Sequence, residues 1–476
     1  MRPPHSWNPM DFLIVLGALV FLMVVAYRGY SVILFAPIAA MGAVLLVDPT
    51  LVAPMFTGLF MDKMVGFLKL YFPVFVLGAV FGKLIELSGF SKSIVAATIR
   101  LFGPKQAMLS IVVVCALLTY GGVSLFVVVF AVYPFASELF RQSDIPKRLI
   151  PGTIALGAFT FTMDALPGTP QIQNIIPTAF FGTDAWAAPI LGTLGGVFIL
   201  VVGMTYLEWR RRVAQRAGEG YGDPATLLNE PAPFAGGTLA NPLIALLPLV
   251  LVGVSNIVFT RWIPTLYGDT HSFIPAVIGN PPPVTQEVGK IAAIWAVQGA
   301  LLVGIVAVLL FAWKPVFTRF AEGTKAAIGG ALLASMNTAS EYGFGAVIAA
   351  LPGFLLVTKG LGSISDPLVN EAVTVTALAG ITGSASGGMG IALAAMSETF
   401  IANANAVGIP MDVLHRVASM ASGGMDTLPH NGAVITLLAV TGLTHRQAYK
   451  DVFAITLIKT AAVFAIIGLY YATGWV

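Results

Sequence analysis

Hydrophobic positions in this chain run in long blocks, not in amphipathic stripes. A helix that crosses a bilayer needs about 20 mainly apolar residues. Such blocks fall at 12–26, 31–47, 67–87, 185–207, 239–258, 291–312, 327–351 and 448–471. Two more, 149–181 and 413–440, read as crossings interrupted part-way. Together they predict about ten crossings. The stretches 107–140 and 372–404 are apolar but too long for one crossing, and each carries small residues near its middle. They read as hairpins that enter and return on the same side.

Basic residues orient this pattern, because loops on the cytoplasmic side collect Lys and Arg. Arg100 and Lys105 precede the first hairpin, and Arg141, Lys147 and Arg148 follow it. Asp366 and Glu371 precede the second, and no Lys or Arg follows it until Arg416. The first hairpin therefore opens to the cytoplasm and the second to the outside. Three landmarks recur in one order. Leu87-Ser88-Gly89-Phe90 returns as Leu351-Pro352-Gly353-Phe354, Ile145-Pro146 as Ile409-Pro410, and Asp164 as Asp426, at offsets of 264, 264 and 262. A recurring pattern of this kind marks an internal repeat. Each half holds about five spans and one hairpin, and an odd number of spans inverts the second half. The repeats cover about 11–207 and 238–475, with the polar segment 208–237 as a cytoplasmic linker. The segments 92–102 and 355–365 read as interfacial helices or as plain loops.

Met163-Asp164-Ala165-Leu166-Pro167 and Met425-Asp426-Thr427-Leu428-Pro429 interrupt the two broken crossings. An acid and a proline are costly where no water satisfies free backbone groups. Broken helices at a repeat interface point to the substrate site of a secondary transporter. The first break supplies Thr169, Gln171 and Asn174, the second His430 and Asn431. The hairpin tips supply Thr119, Gly121, Gly122 and Ser124, and Ser384, Ser386, Gly387 and Gly388. Glycines let backbone approach a ligand, and half-helix N-termini attract a carboxylate. The same small residues also serve plain helix packing. Proton-coupling candidates are Asp164, Asp426, Glu341 and His430, the last being the one histidine expected at bilayer depth. Asp164 and Asp426 also suit the N-caps of the half-helices that follow them. No Lys or Arg falls in either break or tip.

Composition narrows the choice. The 476 residues are 57% hydrophobic and 10% charged, with mean hydropathy +0.89. Soluble proteins carry roughly 25% charged residues, so this is an all-α polytopic membrane protein. A net charge of +3 gives no case for nucleic acid. The single Cys115 excludes internal disulfides and Cys-ligated clusters and reads as a packing residue. Neither break holds a nucleophile with a matched base or a metal-ligand cluster, so neither an enzyme nor a cofactor is expected.

The tip Gly121-Gly122-Val123-Ser124, the break through Pro167 and Pro170, the tip 384–388 and Leu428-Pro429-His430-Asn431 resemble the gluconate:proton symporter family of the ion-transporter superfamily. Asp164 and Thr169 stand where the sugar-acid carriers have histidines, and the pattern is more similar to the 3-hydroxybutyrate permease-like branch. The resemblance implies proton symport, a bacterial inner-membrane location, a homodimer, and scaffold and transport domains. The expected function is proton-coupled import of a short hydroxy-monocarboxylate such as 3-hydroxybutyrate by an elevator movement. A sodium-coupled dicarboxylate or sugar-acid symporter is the alternative, and an anion channel the alternative from another class. The charge pattern places both termini outside. Tags at each end should be labelled from the external face only; labelling of either from the cytoplasm contradicts the topology.

Overall fold

The computed structural model describes residues 9–28, 30–103, 106–123, 125–223, 227–231, 239–274, 282–354, 360, 364–429 and 431–476. Among them, five helices are long and apolar enough to cross a membrane: Pro49–Leu87, Pro189–Arg216, Pro242–Tyr267, Val288–Phe311 and His445–Thr473.

The chain opens with α1 (Pro9–Tyr27) and α2 (Val32–Val47), then α3 (Met61–Leu87) and α4 (Phe90–Phe102). The first hairpin is α5 (Ala107–Tyr120) and α6 (Leu125–Gln142). The first interrupted helix is α7 (Ile150–Ala158), a single turn at Phe161–Asp164, and α8 (Ile172–Phe181), followed by α9 (Pro189–Arg216). After the linker come α10 (Pro242–Tyr267), α11 (Val288–Phe311) and α12 (Phe320–Ala350). The second hairpin is α13 (Pro367–Thr382) and α14 (Ala385–Val407). The second interrupted helix is α15 (Met411–Ser422) and α16 (Gly432–Thr441), and α17 (His445–Thr473) closes the chain.

The helices pack as two sets. In one, α3 lies along α11 and α12, α10 along α11, and α2 against α12. In the other, α5 packs on α7, α13 on α15, α8 on α14 and α15, α6 on α16, and α9 on α17. Leu13, Leu46, Leu243 and Leu310 are exposed on the outer helices, as bilayer contact requires. Cys115 is fully buried.

Two expectations need correction, and of the two readings of 92–102 the helical one holds. The chain is not purely helical: Thr270–Phe273 and Val284–Glu287 form an antiparallel ribbon, with Ser272 Oγ and Thr285 Oγ1 2.7 Å apart. This polar loop has no apolar face to bury and pairs its backbone locally. The linker begins later than residue 208, because Glu208 pairs with Arg211 and Arg212 along one face and α9 runs on to Arg216. Such i,i+3 and i,i+4 pairs support helix. Segment 92–102 belongs to the helix α4, which buries Phe90, Ile94 and Val95. Most of 355–365 lies outside the described residues.

The linker is also no free tether. Lys147 is buried against Glu230 at 2.7 Å, and Tyr221 donates to the same carboxylate. Arg148 bonds Glu219 at 2.6 Å and holds its carboxyl below the usual range. Asn229 donates to the Ala439 carbonyl of α16 at 2.7 Å. The linker thereby joins α6, α16 and the start of α7.

Within the second hairpin, a Cβ on Gly388 would fall 2.2 Å from Ala379 Cα, whereas one on Gly329 of α12 meets nothing within 4 Å. Gly388→Val should cost about 1–3 kcal/mol by overpacking, seen as a lower melting midpoint of the purified protein. Gly329→Ala should leave the midpoint unchanged; equal effects would contradict the close hairpin packing.

Candidate functional site

Breaking a helix in an apolar interior frees carbonyls and N–H groups that must find partners. In the first break, Pro167 and Pro170 have no N–H to donate, and Gly168 takes φ +77°. A Cβ there would also meet the Trp186 ring at 2.3 Å. The freed carbonyls are met by side chains. Tyr120 Oη donates to Pro167 O at 2.8 Å, Thr169 Oγ1 to Thr162 O at 2.8 Å, and Asn174 Nδ2 to Thr169 O at 3.0 Å. In the second break, Thr376 donates to Ala421 O at 3.1 Å, Thr460 to Gly424 O at 2.8 Å and Tyr449 to Thr427 O at 3.1 Å.

Two buried cations cross-tie the breaks. Arg416 of α15 is fully buried, and its guanidinium donates to Asp164 O at 3.1 Å, to Asn174 Oδ1 at 3.0 Å and to Ala187 O at 2.7 Å. Lys459 of α17 donates to Phe159 O at 3.1 Å and ion-pairs directly with Asp426. Each cation joins residues of the first break to helices about 230–300 positions onward. Asp164 lies within electrostatic reach of both cations and of Asp426. Its Oδ2 sits where a Cβ on Gly423 would approach to 1.9 Å, and its buried Oδ1 has no hydrogen-bond partner among the described residues. Asp164 therefore lies against the second break, and Ser419 Oγ of α15 donates to its carbonyl at 2.8 Å.

The capping role expected of these acids does not hold. The half-helix α8 begins after Gln171 and α16 after Asn431. Asn431 Oδ1 accepts from Val434 N–H at 2.9 Å, so Asn431 is the cap. The acids sit too early in the chain, with several non-helical residues between them and the next turn.

The tips are tied to the breaks by amides. Gln171 Nε2 donates to Thr119 O at 2.7 Å, and Asn431 Nδ2 donates to Gly383 O at 2.8 Å. The Thr119 hydroxyl is buried without a partner among the described residues. Gly122 takes φ +94° and faces the Pro170 ring. Gly121 is a packing residue and not an open ligand position, since a Cβ there would strike Leu249 at 2.1 Å. Gly388 is likewise filled by Ala379. Ser384 caps α14 by accepting from Gly387 N–H at 3.1 Å, and Ser386 Oγ meets Thr338 Oγ1 at 3.2 Å. Gly387 faces the Glu341 carboxyl of α12. Ser124 and His430 lie outside the described residues.

Sequence reading missed four groups. Arg416 and Glu371 pass for loop charges that flank the second hairpin, yet both are fully buried. Glu371 has neither oxygen partnered among the described residues. His415 is fully buried beside Thr183 Oγ1 at 2.6 Å, so His430 is not the one histidine expected at depth. Lys459 lies in α17, a position that the breaks alone do not reveal. A lysine inside an otherwise apolar block was the available signal. Two surface cavities lie elsewhere: an apolar groove of about 430 Å³ between α1 and α2, and one of about 490 Å³ between α4 and the start of α10.

No family model matches the chain. It is 60% identical over 475 residues to the uncharacterized transporter YxjC of Bacillus subtilis (strain 168), covering 98% of this chain and all of the relative. In fold it is similar to the Alcanivorax borkumensis YdaH transporter, a structure with an unusual topology, at a TM-score of 0.53 and 14% identity over 98% of this chain and 99% of the other. The extent of the first match shows that the chain belongs to the family of Bacillus subtilis YxjC and is a membrane transporter.

Proposed function

We propose that the protein imports a short monocarboxylate, with 3-hydroxybutyrate the leading substrate, by proton symport across the bacterial inner membrane. The observation that carries this reading is the meeting of two interrupted helices, each with an amide bonded to its own hairpin tip, around Asp164, Asp426 and Lys459. Irregular backbone at such depth is tolerated where it is buried in protein or lines a water-filled cavity, and secondary transporters use it at their substrate sites. The resemblance to the gluconate:proton symporter family supports the substrate class.

In this reading the two halves are inverted repeats, and the hairpins and interrupted helices move as one body against the remaining spans. α17 travels with that body, because Lys459 holds both Asp426 and Phe159 O. Asp426 is then a tie and not a proton carrier. Asp164, Glu341 and Glu371 each keep a buried oxygen without a partner among the described residues; of these, Asp164 lies against the second break and Glu341 against the second tip, so these two are the carboxyls we assign to the coupled proton. A buried acid facing the interior of a transporter is suited to that task.

Proteoliposomes with an inward proton gradient should accumulate 3-hydroxybutyrate, and dissipating the gradient should stop accumulation. Accumulation that follows sodium and ignores protons would replace the coupling ion, and saturable exchange separates a carrier from a channel. Asp164→Asn should abolish accumulation while preserving substrate exchange; full accumulation by that variant removes Asp164 from the proton path. Lys459→Met should cost about 3–5 kcal/mol by leaving Asp426 buried and uncompensated. The Lys459→Met/Asp426→Leu double replacement should recover most of the melting midpoint. A double variant as unstable as the single one would contradict the ion-pair tie.

A further inference from the structure

The face that α12 turns toward the second hairpin repeats every three to four residues. Thr338 meets Ser386, Glu341 meets Gly387, Tyr342 meets Gly390 and Gly345 meets Ile391. This i, i+3, i+4, i+7 series is one helix stripe, and every member but one presents a neutral group. The exception, Glu341, is 3% exposed. Its Oε2 has no hydrogen-bond partner among the described residues, and no ion pair to it is formed among them. That oxygen lies 1.7 Å from where a Cβ on Gly387 would stand, with Ser384 Oγ at 3.0 Å from the same point.

The location explains why an acid is held there. Ser384 is the N-cap of α14, a helix of 23 residues, and Gly387 is its third residue. The N–H groups of a first turn have no partners inside the helix, and they attract an anion. Only glycine at 387 leaves space for a carboxyl to settle against that turn. At the first hairpin, α3 presents Gly78, where an added Cβ would stand 4.0 Å from the Gly122 carbonyl. Among the described residues, the second tip thus carries a resident carboxyl and the first none.

We propose that Glu341 is an internal ligand occupying the carboxylate subsite of the second tip, and that a substrate monocarboxylate binds there by displacing it. This deepens the transport reading and rests on it for the identity of the displacing anion. The substrate's carboxylate takes the place on the α14 first turn, with Ser384 and Ser386 hydroxyls on either side. Displacement removes the one carboxyl contact between α12 and the tip and replaces it with the bound acid, leaving the neighbouring contacts of Thr338, Tyr342 and Gly345 in place.

Hydrogen exchange of the full-length protein in nanodiscs tests this without transport, reading the backbone amides of 383–388. Glu341→Ala and Glu341→Gln should each speed exchange at the tip by about tenfold through local opening, with other helices unchanged. Acetate and 3-hydroxybutyrate should restore protection in Glu341→Ala at concentrations about tenfold lower than any that act on the wild type, because the internal competitor is gone. Gly387→Ala, which fills the seat with a methyl group, should speed tip exchange and respond to neither acid. Unchanged exchange in both Glu341 variants overturns the proposal. Faster exchange that neither acid reverses also overturns it, leaving Glu341 as a lock between helices. Failure of the transport reading would show separately, as absent uptake by wild-type proteoliposomes.

Discussion

Every unusual feature of this fold follows from the need to satisfy polar backbone where water is absent. A carbonyl released by Pro167 or Pro429 has no partner in hydrocarbon, and each unmet group costs several kcal/mol. The chain meets this demand with side chains from other helices. Arg416 serves Asp164 O and Ala187 O, Lys459 serves Phe159 O, and Tyr120, Tyr449, Thr376 and Thr460 serve Pro167 O, Thr427 O, Ala421 O and Gly424 O. The breaks exist as stable objects because the two cations reach across from helices far along the chain. Charged donors suit this work, since a guanidinium can serve several carbonyls at once.

That dependence sets what was legible in the sequence. Both hairpins and both interruptions were visible, because prolines, glycines and acids inside apolar blocks break a rule that lipid enforces. The amide ties were half visible: Gln171 and Asn431 stood out as polar residues, but that each would bond a tip carbonyl depends on tertiary contact. Asp164 and Asp426 suit two roles in the sequence, proton carrier and helix cap; local preference favours the cap, and tertiary placement overrides it. Arg416 and Glu371 were misread for a related reason. Charge near the end of an apolar block normally marks a membrane boundary, and only the folded neighbours show that these two point inward. The small residues needed the structure most, since sequence cannot separate Gly121 and Gly388, filled by Leu249 and Ala379, from Gly387, which holds space for a carboxyl.

The same logic links stability to function. The proposed elevator movement requires the broken helices to hold firmly while the assembly that contains them shifts. The ties at Arg416 and Lys459 lie within that assembly, as do the linker bonds from Glu230 and Asn229 to α6, the start of α7 and α16. The contact made by Glu341 differs, because it joins α12 to α14 between the two packed sets, beside the contacts of Thr338, Tyr342 and Gly345.

The central claim is that an organic acid is cradled between the tips and the two breaks. A density map of the protein in a lipid disc with saturating 3-hydroxybutyrate tests it directly. The account predicts ligand density beside Ser384 and Asn431, with the chain non-helical through 165–171 and 423–431. A ligand bound only in the outer grooves, or helices running unbroken through both segments, would contradict it.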